Sequence, residues 1–180
     1  WGYMDAVPIE RMRLSVIGSV LIPMYVGVKA SVLDIGCGAG AILDFLPEGN
    51  RHLYTGVDLS QEAINIAQRT RGNNHRFIHA SATDFQPHHK FDVIIFSELL
   101  YYVDFEKILQ KYRSFVKPDG FIIISLFSQT NMKSYDSIRK FARETFVKVD
   151  DVDMEGNLKK SAAHSSIRTK FHIEVYRAHT

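Results

Sequence analysis

Apolar residues fall into two rhythms along this chain, and the rhythms alternate. Short, largely apolar runs at 31–35, 53–57, 91–96 and 121–127 have the texture of strands covered on both faces. Other stretches repeat their apolar residues every three or four positions, as on one face of a helix. Examples are 61–71, with Ala63, Ile64 and Ala67, and 135–146, with Tyr135, Ile138, Phe141 and Ala142. A leading helix is predicted over 9–25, with Arg11 and Arg13 near its start and Pro23 near its end. Ser60 and Asp104 stand where N-caps belong, ahead of helices over 61–71 and 105–116. Residues 76–80 form a short third strand, and 147–154 and 171–178 alternate as an antiparallel strand pair. Turn chemistry punctuates the elements at 47–50, 72–74 and 117–120, and 156–168 is a polar loop between the last two strands.

Strand–helix repetition of this kind requires an α/β fold: a doubly wound, mostly parallel seven-stranded sheet with an antiparallel C-terminal strand and helices on both faces. Residues 1–30 are expected to form a lid and helix packed on a single core domain, 31–180. In such a sheet, ligands bind beyond the carboxyl ends of the strands, where the strand order reverses. The chemistry-bearing residues should therefore lie at those ends.

The chain from Val32 to Gly40, VLDIGCGAG, is the most informative stretch. A strand breaks into Gly36, Gly38 and Gly40, and a helical pattern begins at Ala39 and runs to Leu46. Side chains are stripped away where a ligand must touch backbone, and free amides at a helix start suit a charged ligand. Asp34 adds a carboxylate beside the loop. Asp58 follows the next apolar run, 22 residues after Gly36, where a carboxylate can accept hydrogen bonds from a ribose. The arrangement describes a nucleoside-cofactor pocket. Gly36, Gly38 and Ala41 also satisfy the dinucleotide pattern, so the glycines alone leave NAD open. Asp34 tips the choice, because a carboxylate suits an ammonium or sulfonium and not a pyrophosphate.

Composition narrows the field. The 180 residues are 46% hydrophobic and 23% charged, as in a globular domain with a sizeable core. A net charge of +2, with no basic stripe, gives no argument for a nucleic-acid partner. Residues 14–28 carry no charge, but Ser15, Gly18, Ser19 and Pro23 interrupt them, and a spanning helix needs roughly 20 apolar residues. No membrane partner is expected. The one cysteine, Cys37, fits a reducing, cytoplasmic setting and reads as a small residue within the loop. The eight histidines show no ligand spacing, so no metal is expected. Nothing in the sequence sets an oligomeric state.

VLDIGCGAG closely resembles the first motif of the class I S-adenosylmethionine-dependent methyltransferases. Residues 91–98, FDVIIFSE, resemble that family's fourth strand, and 116–120, VKPDG, its turn into the fifth. Trp1-Gly2-Tyr3 and 97–102, SELLYY, resemble the nodulation-factor N-methyltransferase-like subgroup, which acts on sugars or amines. The resemblance implies S-adenosylmethionine as cofactor, S-adenosylhomocysteine as product, and methyl transfer to oxygen or nitrogen of a small molecule such as a sugar or sugar-linked group.

Carried over residue by residue, Asp34, Gly36, Cys37, Gly38 and Gly40 would surround the methionine part. Asp58 would bind the ribose, Leu59 would pack on the adenine, and Ser97 would offer its carbonyl to the amino group. Ser81 and Ala82 stand where the family often has Asp-Ala, and the serine accepts the adenine hydrogen bond less strongly. Tyr3, with Trp1 and Met4, would contribute to a lid. No motif declares a general base. Glu98, Tyr102 and His164 are the candidates, by position after the fourth strand or in the last loop. Two other readings stay open: a non-catalytic binding module on the same fold, and a dinucleotide-dependent oxidoreductase.

Overall fold

The computed structural model describes residues 8–72, 74–128, 133–159 and 166–178. Tyr3, Trp1, Met4 and His164 lie outside the described residues. One seven-stranded sheet organises the rest, in the order β3-β2-β1-β4-β5-β7-β6. The strands are β1 (Val32–Ile35), β2 (Tyr54–Asp58), β3 (Arg76–His79), β4 (Phe91–Ser97), β5 (Val116–Ser128), β6 (Val147–Lys159) and β7 (Ser166–Arg177). β1 to β5 pair in parallel, and β7 runs antiparallel to both β5 and β6. This is the Rossmann-like, doubly wound fold. The order reverses between β1 and β4, which places the crevice at their carboxyl ends.

Two apolar layers cover the sheet. Alternate residues of each strand supply one layer or the other, because successive side chains point to opposite faces. Val93, Ile95, Phe121 and Ile123 join Ile17, Leu21 and Ile22 of the leading helix on one side. Ile94, Phe96, Ile122 and Ile124 join Ile108, Leu109, Ile138 and Ala142 on the other. The latter come from α5 (Phe105–Arg113) and α6 (Lys133–Thr145). Ser60 caps α4 (Gln61–Arg71) by accepting from the Ala63 amide at 3.2 Å, and Asp104 caps α5 by accepting from Lys107 at 3.3 Å.

Several local expectations change. The leading helix is α1 (Pro8–Ser15), a π-helical stretch Val16–Leu21, and α2 (Ile22–Val26). Its wide turn lies where Gly18 packs against Phe45; a Cβ on Gly18 would come within 3.0 Å of the Phe45 Cβ. Pro23, with no N–H to donate back along the helix, follows directly. The helix expected from Ala39 to Leu46 shrinks to one 3₁₀ turn, Ala41–Asp44, stopped short of Pro47. Residues 47–50, expected as a turn, start the single-turn α3 (Glu48–Arg51). There Asn50 is buried and donates to the carbonyls of Gly27 (3.2 Å) and Ala30 (3.0 Å).

The turn expected at 117–120 is absorbed into β5 as a bulge. Val116 pairs with Phe91 and Phe121 with Val93, so the intervening residues bow outward. The polar loop expected over 156–168 is largely a hairpin, because β6 runs to Lys159 and β7 starts at Ser166. Backbone pairing, which needs no apolar side chain, carries the ladder through that polar stretch. Among the described residues no helix is long and apolar enough to cross a membrane.

Candidate functional site

The glycine loop leaves β1 and folds back onto the tip of β2. Gly36, Gly38 and Gly40 have φ of 80°, 54° and 71°, a left-handed path that residues with a Cβ rarely take. The amides of Gly36 and Cys37 donate to the Val57 carbonyl at 2.8 and 3.1 Å, and Gly38 donates to Asp58 Oδ2 at 2.8 Å. Gly40 donates to Cys37 at 3.0 Å. The amides of Gly36, Cys37, Gly38 and Gly40 are thus spent within the protein and are not free for a ligand. The glycines serve instead to let the loop lie flat against β2.

Asp34 sits inside the resulting wall. Tyr54 donates to its Oδ2 at 3.0 Å, while Oδ1 is buried without a hydrogen-bond partner. Burial pushes the Asp34 carboxyl up to about 7, with the neighbouring Asp58 adding to the rise. A buried acceptor with one oxygen unmet costs free energy until a donor arrives. Gly56, opposite Asp34 in the register, makes room for this pair. A Cβ there would come within 2.8 Å of both Cys37 Sγ and the Tyr54 hydroxyl. Cys37 is buried, and loss of water raises its thiol well above the ordinary range, so it stays protonated.

The sheet ends open into two cavities that share Gly36, Ser97 and Glu98 in their linings. The smaller, about 120 Å³, lies over Asp34, Gly38 and Ala39 and is closed by Glu10, Arg13 and Leu14 of α1. The larger, about 770 Å³, runs past Asp58, Leu59, Ser81 and Ala82 to Leu99, Tyr102 and Val103. Asp58 accepts from Gly38 through Oδ2 and from the Ser60 amide through Oδ1 at 2.8 Å. A carboxylate has about four lone-pair sites, so each oxygen keeps capacity for one more donor. Leu59, 71% exposed, forms a bare apolar face beside it.

Ser81 and Asp84 cap one another. The Ser81 hydroxyl donates to Asp84 Oδ2 at 2.7 Å and accepts from the Asp84 amide at 3.0 Å. Asp84 is therefore a turn-capping residue, and Ser81 faces the cavity with its hydroxyl already engaged. The Ala82 carbonyl is taken by Tyr112 at 2.9 Å.

Glu98 holds a left-handed φ of 55° in a residue that has a Cβ. Its carboxylate is fixed by the Phe127 amide (2.9 Å) and the Ser125 hydroxyl (3.1 Å). Loss of water pushes Glu98 up to about 7, against the pull of Arg13. Tyr102 is 80% exposed at the mouth of the larger cavity. It frames the opening and is not fixed deep within it.

Arg13 is the residue that sequence reasoning passed over. It is buried and donates to Glu10 from Nε (3.0 Å) and Nη2 (2.6 Å), to the Ser97 hydroxyl, and to Ser125 at 3.3 Å. The available signal was Glu10 and Arg13 lying on the helix face of Ile9 and Ile17, two charges on a core-facing stripe.

Comparison with known proteins agrees with this geometry. The family described as "Methyltransferase domain" matches residues 32–120, from the first residue of β1 through the bulge of β5. Residues 32–120 belong to that methyltransferase family.

That membership sets aside the dinucleotide alternative, since the family takes S-adenosylmethionine. A ubiquinone biosynthesis O-methyltransferase of Haemophilus ducreyi is 31% identical over 127 residues, covering 62% of this chain and 53% of the relative. A protein described in the same words from Aromatoleum aromaticum is 33% identical over 110 residues, covering 58% of this chain and 46% of the relative. This methyltransferase chain spans about half the length of the curated relatives it matches. Among solved structures, N-methyltransferase NodS from Bradyrhizobium japonicum, in complex with S-adenosylhomocysteine, superposes with a TM-score of 0.76 at 21% identity. That match covers 97% of this chain and 90% of the other. A Burkholderia thailandensis 1,6-didemethyltoxoflavin-N1-methyltransferase reaches 0.65 at 22% identity, over 94% and 79% of the two chains. At these identities the likeness is one of fold.

Proposed function

We propose that this methyltransferase chain binds S-adenosylmethionine across the two joined cavities and catalyses methyl transfer to nitrogen or oxygen of a small molecule. The observation that carries the reading is the unmet, buried Asp34 Oδ1 beside the glycine loop, with Arg13 facing the same 120 Å³ space. An amino acid's ammonium and carboxylate need such a pair of opposite charges. Asp34 would accept from the ammonium, and Arg13 would donate to the carboxylate. Asp58 would use its remaining lone pairs for the ribose hydroxyls, Leu59 would pack on the adenine, and Ser81 and Ala82 would border that end.

Bound there, the cofactor would supply a methyl group already activated on a positive sulfur. The chain's task is then positioning and exclusion of water. The rigid β1 and β4 ends hold the donor half, and Leu99, Tyr102 and Val103 narrow the approach. Glu98, at the junction of the cavities, is the group placed to hold an acceptor's proton. Nothing in the comparisons supports the sugar-linked acceptor that the subgroup likeness suggested.

Calorimetry with S-adenosylhomocysteine tests this reading. Binding in the micromolar range that weakens at least tenfold in Asp34→Asn supports it. Absence of heat with the wild-type chain overturns it, and binding without transfer of labelled methyl groups in a cell extract favours the non-catalytic module.

A further inference from the structure

Asp34 gives one oxygen to a neutral donor and keeps the other for whatever enters the smaller cavity. The donor is Tyr54, the first residue of β2, 2% exposed and outside the lining of either cavity. Its hydroxyl reaches Asp34 Oδ2 at 3.0 Å, which leaves Oδ1 as the buried oxygen without a partner. The two side chains share one face of the sheet, because Asp34 pairs with Gly56, two residues beyond Tyr54. The missing Cβ at Gly56 leaves the space through which the hydroxyl crosses to Asp34. Phe77 packs edge-on against the Tyr54 ring, with centroids 5.8 Å apart, and fixes its direction.

A phenol in that place has a chemical consequence. Lysine or arginine would cancel the Asp34 charge, whereas a neutral hydroxyl orients a carboxylate and leaves its charge for a cation. Burial, and then the charge of Asp34, hold the Tyr54 proton on well above the ordinary range. Tyr54 therefore stays a donor throughout the interval in which Asp34 titrates. The other charged or titratable groups nearby are occupied. Arg13 of α1 is bound to Glu10, Ser97 and Ser125, Asp58 of β2 accepts from Gly38 and Ser60, and Glu98 accepts from Phe127 and Ser125. The Cys37 thiol stays protonated.

Resting on the assignment of the cofactor pocket, we propose that Tyr54 is a positioning residue that turns Asp34 Oδ1 toward the cofactor's α-ammonium and makes binding selective for ligands carrying that group. Tyr54 itself touches no ligand. Its hydrogen bond favours the carboxylate over the neutral acid, so losing it makes Asp34 harder to ionise. The loss also frees the carboxyl to rotate both oxygens away from the cavity.

Tyr54→Phe keeps the ring against Phe77 and removes the hydroxyl alone. Calorimetry with two probes reads the result: S-adenosylhomocysteine, and 5′-methylthioadenosine, which has the adenosine and sulfur but no amino-acid end. Near neutral pH, Tyr54→Phe should weaken S-adenosylhomocysteine at least about fivefold and leave 5′-methylthioadenosine within about twofold. The rise of S-adenosylhomocysteine affinity with pH should move to higher pH, a shift that a packing defect does not produce. On an Asp34→Asn background the same substitution should change S-adenosylhomocysteine affinity by less than about twofold. Gly56→Ala, whose methyl would crowd the hydroxyl, is the second variant should Tyr54→Phe fail to fold, with the same results expected. Equal weakening of both probes, an unmoved pH profile or an unchanged S-adenosylhomocysteine affinity overturns the proposal. A wild-type chain that does not bind S-adenosylhomocysteine overturns the cofactor assignment beneath it.

Discussion

Asp58 Oδ2 accepts the Gly38 amide at 2.8 Å, so the tip of the second strand holds down the glycine loop that follows the first. One carboxylate thereby shapes the loop and lines the larger cavity. Asp58→Ala removes both tasks. It leaves the Gly38 and Ser60 amides without their acceptor, a loss of about 1–3 kcal/mol. Urea unfolding should show that loss, and calorimetry should show S-adenosylhomocysteine affinity down at least tenfold. Unchanged affinity would mean that the ribose end lies elsewhere.

Gly40 combines a φ of 71° with an ideal Cβ position 2.7 Å from the Phe77 ring. Gly40→Ala should cost roughly 1–3 kcal/mol, from the left-handed backbone together with the displaced ring. Gly72, with a φ of 79°, a ψ of 164° and nothing near its Cβ, holds a different positive-φ conformation without a side-chain clash. Gly72→Ala should cost about 1–3 kcal/mol from backbone strain alone, and urea unfolding reads both variants.

Arg13→Met should destabilise the chain by about 3–5 kcal/mol, because Glu10 is left buried without its partner. The double variant Glu10→Gln, Arg13→Met should recover a large part of that stability but no cofactor affinity. Thermal unfolding and calorimetry on the two variants separate the structural role from the binding role.

Asp34 and Glu98 both rise from ordinary carboxyl values of 3.8 and 4.5 to about 7 in the fold. A group whose folded pKa is raised gives stability that is complete below the unfolded value and lost as pH climbs through the folded one. The ligand-free chain should therefore lose thermal stability from about pH 4 to about pH 8. Asp34→Asn should flatten the slope. S-adenosylhomocysteine affinity should rise over the same interval, as binding of its ammonium drives ionisation of Asp34. A pH-independent melting temperature contradicts both pKa shifts.

Tyr102→Phe should leave the methylation rate within about twofold, since an 80% exposed side chain at the cavity mouth is poorly placed for proton transfer. Tyr102→Ala should raise the acceptor KM and leave kcat little changed. A large fall in kcat for Tyr102→Phe would restore the hydroxyl to the chemistry.

Much of the site was legible because its constraints are local. A strand followed by alternating glycines, with acids beside it and at the next strand's tip, needs only a few covalent neighbours to make sense. The caps at Ser60 and Asp104 are local in the same way. The features that sequence reasoning missed join distant residues. Arg13 matters through Ser97 and Ser125, 84 and 112 positions away. Gly56 reads as an ordinary strand glycine until Cys37 and Tyr54 are brought beside it.

The sequence by itself determined the alternation of strands and helices, the glycine loop and the two acids at neighbouring strand ends, because periodicity and glycine spacing are written along the backbone. Tertiary structure alone decided where the loop amides spend their hydrogen bonds, that Asp34 keeps one oxygen unmet, and that Arg13 is the lone cation among the described lining residues. The reason is physical. Burial and charge compensation belong to the space between elements, and that space exists only once the sheet has closed around it.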